Sequence, residues 1–301
     1  MARLTAIVLG SAAGGGYPQW NCRCPVCRLA WDKDPRVKAR SQASVAVSAD
    51  GQRWTLLNAS PDLRAQIAAC PALQPKASTR SSPIEAVLLT GAEIDQIAGL
   101  LTLRERQPFA LLATHETLGF VAENPTFGVL APDLVARRAV PLMDPVMLPG
   151  GIEARLFPVP GKLPLYREGE APATDVETAA NVGVELRADG ACLAYVPGCA
   201  SVPPSLKVRL AAADALLFDG TLFEDDEMIR TGTGEKTGRR MGHMPIHGSG
   251  GSLAALADLT TRRIFIHINN TNPILVQGSP ERRQVEEAGW AVAEDGLQIA
   301  L

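Results

Sequence analysis

The chain has 301 residues, 46% of them apolar and 5% aromatic, with 29 basic against 32 acidic side chains and a net charge of −3. That length supports a sizeable core, and the scattered Lys and Arg argue against nucleic acid or an anionic membrane as a partner. No run approaches the roughly 20 apolar residues of a membrane helix, so a soluble cytoplasmic protein is expected, and a homodimer is left open.

In chain order, TAIVLG (5–10) has too short an apolar core for a signal peptide and reads as a buried first strand. GSAAGGG (10–16) follows it without the glycine spacing of a dinucleotide site, and reads as a turn that lets another backbone approach closely. Strand-like runs recur at SVAVS (44–48), WTLLNAS (54–60), EAVLLT (85–90), FALLAT (109–114), EARLFPV (153–159), NVGVEL (181–186), ACLAYV (191–196), ADALLFDG (213–220), RIFIHI (263–268) and LQIAL (297–301). Helix-period segments lie between them at 61–70, 95–107, 203–213, 251–262 and 279–289, the last opened by Ser279 and Pro280. His115 begins a further helix and reads as structural. The polar stretches 160–181 and 230–243 read as loops of the site or lid kind rather than spacers. Together these predict one layered α/β domain over 1–301, with sheets inside and helices outside.

The six cysteines group unevenly, which argues against a secreted disulfide framework. Cys22, Cys24 and Cys27 fall within six residues. A C-x-x-C redox pair normally opens a helix after a strand, so three thiolates with Pro25 among them fit a tetrahedral metal site better, with one more ligand required. Cys70, Cys192 and Cys199 show no pattern and read as small core residues.

Catalytic chemistry has few candidates. Glu93 and Asp95 follow a strand end at Thr90, and alternation places both on one side of an extended turn, where they can share a cation or simply complement a helix N-terminus. The four histidines are His115, His243, His247 and His267. His267 ends an apolar strand, whereas His243 and His247 sit in a glycine-rich loop where mobile surface histidines are the ordinary expectation. Asp219 ends the strand of FDGT (218–221), so strand-end acids and His267 can converge at one sheet edge.

The stretches GSAAGGGYPQWNCRCPVC, LLNASPDLR, VLLTGAEIDQIAGLLTLRE, FPVPGKLPL, AYVPGCA, LLFDGT, MGHMPI and FIHINNTNP resemble, over essentially the whole chain, the pyrroloquinoline-quinone (PQQ) biosynthesis protein B family of the metallo-β-lactamase fold. The resemblance implies an αββα sandwich of two mixed sheets with a metal site at the sheet edge. The H-x-H-x-D-H turn of the hydrolases corresponds here to Gly91, Glu93, Asp95 and Gln96, so a binuclear zinc hydrolase cannot be assembled. His267 matches the final metal histidine of the fold.

The resemblance further implies a catalytic Fe2+ held by Glu93, Asp95 and His267, with Gln96 as a weak ligand where the family has histidine. Asp219 would support the site and His243 would exchange a proton with the substrate phenol. The implied reaction uses O2 to hydroxylate the tyrosine ring of a crosslinked Glu-Tyr precursor of PQQ, supplied as a peptide or dipeptide. A structural Zn2+ would join Cys22, Cys24 and Cys27 to the Asn270 amide oxygen or to a water. A carrier of PQQ or its precursor, and a phosphodiesterase-like hydrolase, are the alternatives.

Overall fold

Consecutive apolar side chains along a strand give it two buried faces, and here such runs build two sheets packed on each other. A computed structural model describes residues 4–76 and 78–301. The first part of the chain supplies β1 (Thr5–Gly10), β2 (Ser44–Ser48), β3 (Trp54–Leu57), β4 (Ile84–Leu88), β5 (Phe109–Ala113) and β6 (Val135–Ala139). The second supplies β7 (Pro145–Leu148), β8 (Ile152–Gly161), β9 (Val176–Ala188), β10 (Ala191–Val196), β11 (Ala215–Asp219), β12 (Arg262–Ile266) and β13 (Trp290–Val292), and β14 (Gln298–Ala300) ends the chain. One mixed sheet has the order β14-β1-β2-β3-β4-β5-β6, the other β13-β12-β11-β10-β9-β8-β7.

The core between the sheets takes Val45 and Val47 from β2, Ala86 and Leu88 from β4, Leu217 from β11 and Ile264 and Ile266 from β12. The alternate residues face outward into two flanking clusters. Ala46 and Val87 meet Leu63 of α2 (Leu63–Ala69) and Phe120 and Val121 of α4 (His115–Glu123) on one side. On the other, Phe218 and Phe265 meet Leu206 and Leu210 of α5 (Pro204–Ala211) and Val285 of α8 (Pro280–Glu287). This is the αββα sandwich that the resemblance implies, two mixed sheets with helices on both outer faces.

Several local expectations hold for the stated reason. The Ser279 hydroxyl accepts the Arg282 N–H at 3.0 Å and caps α8. A Cβ on Gly10 would stand 2.1 Å from the Gln42 carbonyl oxygen, so the glycine turn does admit a second backbone.

Others are corrected. The strands β6, β7 and β13 escape the pattern because β6 and β7 expose most of their side chains and β13 has three residues, as edge strands do. The segment 95–107 is not one helix: α3 (Ile94–Ile97) passes into a 3-10 stretch at Ala98–Arg104. Helix forms in 251–262 only at α7 (Ser252–Ala255). The stretch 160–181 begins and ends in strand, since Gly161 of β8 pairs with Val176 of β9, and only 162–175 between them form the expected loop. Finally, the C-x-x-C does open a helix, α1 (Pro25–Trp31), with Cys24 as its cap and Pro25 in its first turn.

Candidate metal centre

The strand ends meet at one edge of the sandwich. Parallel pairing sets Asp219 of β11 opposite Ile266 of β12, so His267 follows directly beside the Asp219–Thr221 turn. His267 adopts φ 60°, a left-handed conformation that a non-glycine residue takes only where its surroundings impose it. The turn after β4 brings Asp95 to the same place, with Asp95 Oδ2 2.9 Å from His267 Nε2. Burial by itself would raise the Asp95 carboxyl, but the hydrogen bond and charge of His267 outweigh it and hold the group below its ordinary value. Burial would likewise lower His267, and Asp95 and Asp219 more than offset that to raise it.

Asp219 is wholly enclosed and fully engaged. Its Oδ1 accepts the Thr221 N–H at 3.0 Å and the Thr221 hydroxyl at 2.6 Å, and its Oδ2 accepts the Cys199 N–H at 2.9 Å and lies 2.6 Å from His243 Nδ1. Burial works to raise its carboxyl, while His243 and His267 draw it below the ordinary range. The two imidazoles stack with centroids 5.2 Å apart. Asp219, His243 and His267 each offer a donor atom within 4.8 Å of the others. His243, for which the local sequence suggested a mobile surface residue and the resemblance a role in catalysis, is a member of the cluster, and the buried Asp219 stands against its ring.

Thr221 was not singled out from the sequence. Its Oγ1 lies 3.1 Å from His243 Nδ1 and 2.9 Å from His267 Nδ1, so one hydroxyl touches three of the cluster's residues. The signal was its place two residues past a strand-end acid, a spacing that lets a side chain return to the carboxylate.

Glu93 and Gln96 do not join this cluster. Glu93 pairs with Lys162 instead and accepts the Leu165 N–H at 3.1 Å. The Gln96 amide oxygen accepts the Glu93 N–H at 3.0 Å, closing a capping box at the start of α3. The local cap engages the Gln96 side chain and Lys162 the Glu93 carboxylate, so the expected pairing of Glu93 with Asp95 gives way to one acid facing the histidines and one facing Lys162. His247 sits apart, stacked on Phe223 and 2.8 Å from Gln284 Nε2. His115 opens α4.

A cavity of about 490 Å³ opens at this edge, lined among others by Asp95, His243, His267, Lys162, Lys236 and Asn269. Two methionines, Met228 and Met241, with Ile94 and Leu165 make part of its wall apolar.

The cysteines stand close by. The Sγ atoms of Cys22, Cys24 and Cys27 lie within 4.8 Å of one another. The backbone folds around the sulfurs, with the Cys24 N–H donating to Cys22 Sγ and the Cys27 N–H to Cys24 Sγ, each at 3.4 Å. A thiol–thiol hydrogen bond raises Cys24 and lowers Cys27, an arrangement that favours thiolate at Cys27. Asn270 does reach the cluster but as a donor: its Nδ2 lies 3.1 Å from Cys22 Sγ and 3.3 Å from Cys27 Sγ, so the nitrogen faces the sulfurs rather than the amide oxygen. Its backbone carbonyl oxygen is 3.7 Å from both Cys24 and Cys27 Sγ. Cys70, Cys192 and Cys199 are buried free thiols outside the cysteine cluster, Cys199 lying beside Asp219.

The same chain has close relatives. Residues 53–268 match the beta-lactamase superfamily domain. A coenzyme PQQ synthesis protein B of Methylobacterium nodulans is 58% identical over 299 residues, covering 99% of this chain and 100% of that protein. That of Rhizobium meliloti is 53% identical over 300 residues, covering 99% and 98%. The crystal structure of Zn(2+)-bound PqqB from Methylobacterium extorquens superposes with a TM-score of 0.97 at 54% identity, covering 99% of this chain and 100% of that one. A diphosphatase of the PhnP family, 22% identical with a TM-score of 0.69, shares the fold. With this identity running the length of the chain and the superfamily domain spanning both sheets, the protein belongs to the coenzyme PQQ synthesis protein B family of the beta-lactamase superfamily.

Proposed function

We propose that the protein acts in PQQ biosynthesis as a non-haem iron, O2-dependent hydroxylase of the tyrosine ring in a crosslinked Glu-Tyr precursor. The observation that carries this reading is the donor set of Asp219, His243 and His267, two imidazoles that line the cavity and one carboxylate buried directly behind them. That set would suit ferrous iron, which two imidazoles and a hard carboxylate oxygen would hold. Asp95 adds a second hard oxygen against His267. The charges also fit a cation, because the carboxyls of Asp95 and the buried Asp219 are both held below their ordinary range.

When bound, Fe2+ supplies the activation of dioxygen that a singlet aromatic ring cannot achieve alone. The chain's own part is to hold and to orient. Asp95, Asp219, His243 and His267 hold the metal, and Thr221 fixes both ring orientations through one hydroxyl. The apolar side chains of Ile94, Leu165, Met228 and Met241 give the phenol a dry wall. One oxygen atom replaces a ring hydrogen as hydroxyl, and the other leaves as water with two electrons and two protons from an external reductant.

A structural Zn2+ is the second part of the proposal. Three clustered sulfurs that accept backbone N–H bonds suit a tetrahedral thiolate site, and the relative from Methylobacterium extorquens binds zinc. Asn270 serves such a site by hydrogen-bonding to the thiolates.

The test is anaerobic loading with iron(II), followed by a reductant, isotopically labelled dioxygen and the crosslinked Glu-Tyr dipeptide, with mass detection. Incorporation of label into the ring is expected, falling at least about a hundredfold in His267→Ala, the upper range for losing even a group behind a metal ligand. Binding of the dipeptide with no incorporation by the iron-loaded protein would favour the carrier instead.

A further inference from the structure

The wall of the cavity away from the histidines carries an ion network that metal chemistry does not use. Glu168, whose side chain is 6% exposed, is approached by three cations: Lys162 at 2.9 Å, Arg240 at 3.2 Å and Lys236 at 3.6 Å. These come from the two long polar loops, so the carboxylate joins one loop to the other. Lys162 is spent inside the network, because its ammonium also bonds Glu93 and donates to the Leu163 carbonyl at 3.1 Å. The Arg240 guanidinium donates directly to Glu168 Oε2.

Lys236 is different. Among the described residues its one carboxylate neighbour is Glu168, at a distance too long for a direct hydrogen bond. Its side chain is 42% exposed and lines the same cavity as His243 and His267. Glu168 is engaged directly by Lys162 at 2.9 Å and by the Arg240 guanidinium at 3.2 Å, which leaves the Lys236 ammonium, at 3.6 Å, as the cation of this network without a direct hydrogen bond to it. Lys162 and Arg240 hold Glu168 in place, and of the two lysines that line the cavity Lys236 is the one with donors to spare.

From this we infer that Lys236 anchors a carboxylate of the substrate, and that the site takes an anionic phenol-bearing amino acid derivative with its ring towards the histidines and its acid towards the 236 loop. The inference rests on the hydroxylase reading for the ring and adds the recognition of the acid. Ammonium and carboxylate meet here beside an apolar wall, partly shielded from water, where a charge-assisted hydrogen bond outweighs its value at an open surface. Glu168 is the positioning residue, since it keeps the lysine at the wall without satisfying it.

Anaerobic calorimetric binding to the intact protein tests this without requiring turnover. The ligands are the crosslinked Glu-Tyr dipeptide and the same molecule with its carboxylates converted to carboxamides. Wild-type protein should bind the acid about tenfold more tightly than the amide, the range of a hydrogen bond to a charged group. Lys236→Met should erase that preference and Lys236→Arg should keep it. Lys236 is exposed enough for either substitution to leave the fold intact. Equal binding of acid and amide by the wild type, a preference that survives in Lys236→Met, or no binding of either ligand would overturn the assignment. Failure of hydroxylation is a separate outcome, seen as missing label in a protein that still discriminates acid from amide.

Discussion

Asp95 and His267 lie 172 residues apart in sequence and meet at 2.9 Å across the sheet edge. One is in the turn after β4 of the first sheet, the other at the end of β12 of the second, so their contact ties the two halves of the sandwich at the point where a metal would sit. Each shifts the other: the Asp95 carboxyl ends below its ordinary value and the His267 imidazole above its own, both against the pull of burial.

In metal-free protein this pair predicts a pH dependence of stability. A depressed carboxyl stabilises the fold above its unfolded value of about 3.9, and that contribution fades as pH falls through the folded value. A raised imidazole stabilises below its unfolded value of about 6.5, and the contribution fades as pH rises through the folded value. Both are therefore present between about pH 4 and 6.5. Asp95→Asn leaves a buried imidazole without its anion and should cost about 3 kcal/mol in that window and less at alkaline pH. Denaturant unfolding of chelator-treated wild type and variant at several pH values measures the difference, and parallel curves would contradict the pairing.

The cysteine cluster predicts about one tightly held zinc per chain that persists when iron is removed. Cys24→Ser removes one of three sulfurs and the acceptor of the Cys27 N–H, so zinc content should fall well below stoichiometric and the melting temperature with it. Elemental analysis after desalting reads the first effect and a thermal scan the second. Full zinc in the variant would mean that the sulfurs do not hold it.

Gln96 offers a clean separation of cap from ligand. Because its amide oxygen accepts the Glu93 N–H, Gln96→Ala should destabilise the protein by about 1 kcal/mol, the usual cost of a lost cap. Iron content and oxygen incorporation should change little. A variant with wild-type stability but without iron would restore Gln96 to the metal.

Much of the architecture was legible in the chain itself. Strands with two buried faces announce themselves by unbroken apolar runs, as SVAVS does by sending Val45 and Val47 one way and Ala46 the other. Helix caps are local, and Ser279 with Pro280 is readable within four residues. Edge strands such as VARRA carry no such signal, because only one of their five residues needs to be buried. The candidate site divides in the same way. Clustered Cys22, Cys24 and Cys27 and the strand-end Asp219 and His267 are visible as residue types in place, while the choice between Glu93 and Asp95 is not.

That choice depends on Lys162, which reaches Glu93 from a loop 69 residues away, and on His267, which arrives from the other sheet. By itself the sequence determined a layered α/β chain and the metal-ligating residue types, because periodicity and motif spacing are properties of the chain, and it implied the two-sheet sandwich only through the family that its motifs resemble. Only the tertiary structure decided that His243 belongs to the cluster, that Thr221 links its two imidazoles, and that Asn270 turns its amide nitrogen to the cysteines. Those outcomes rest on competition among distant partners for a few buried charges and donors, and such competition is settled only when the strands have brought them together.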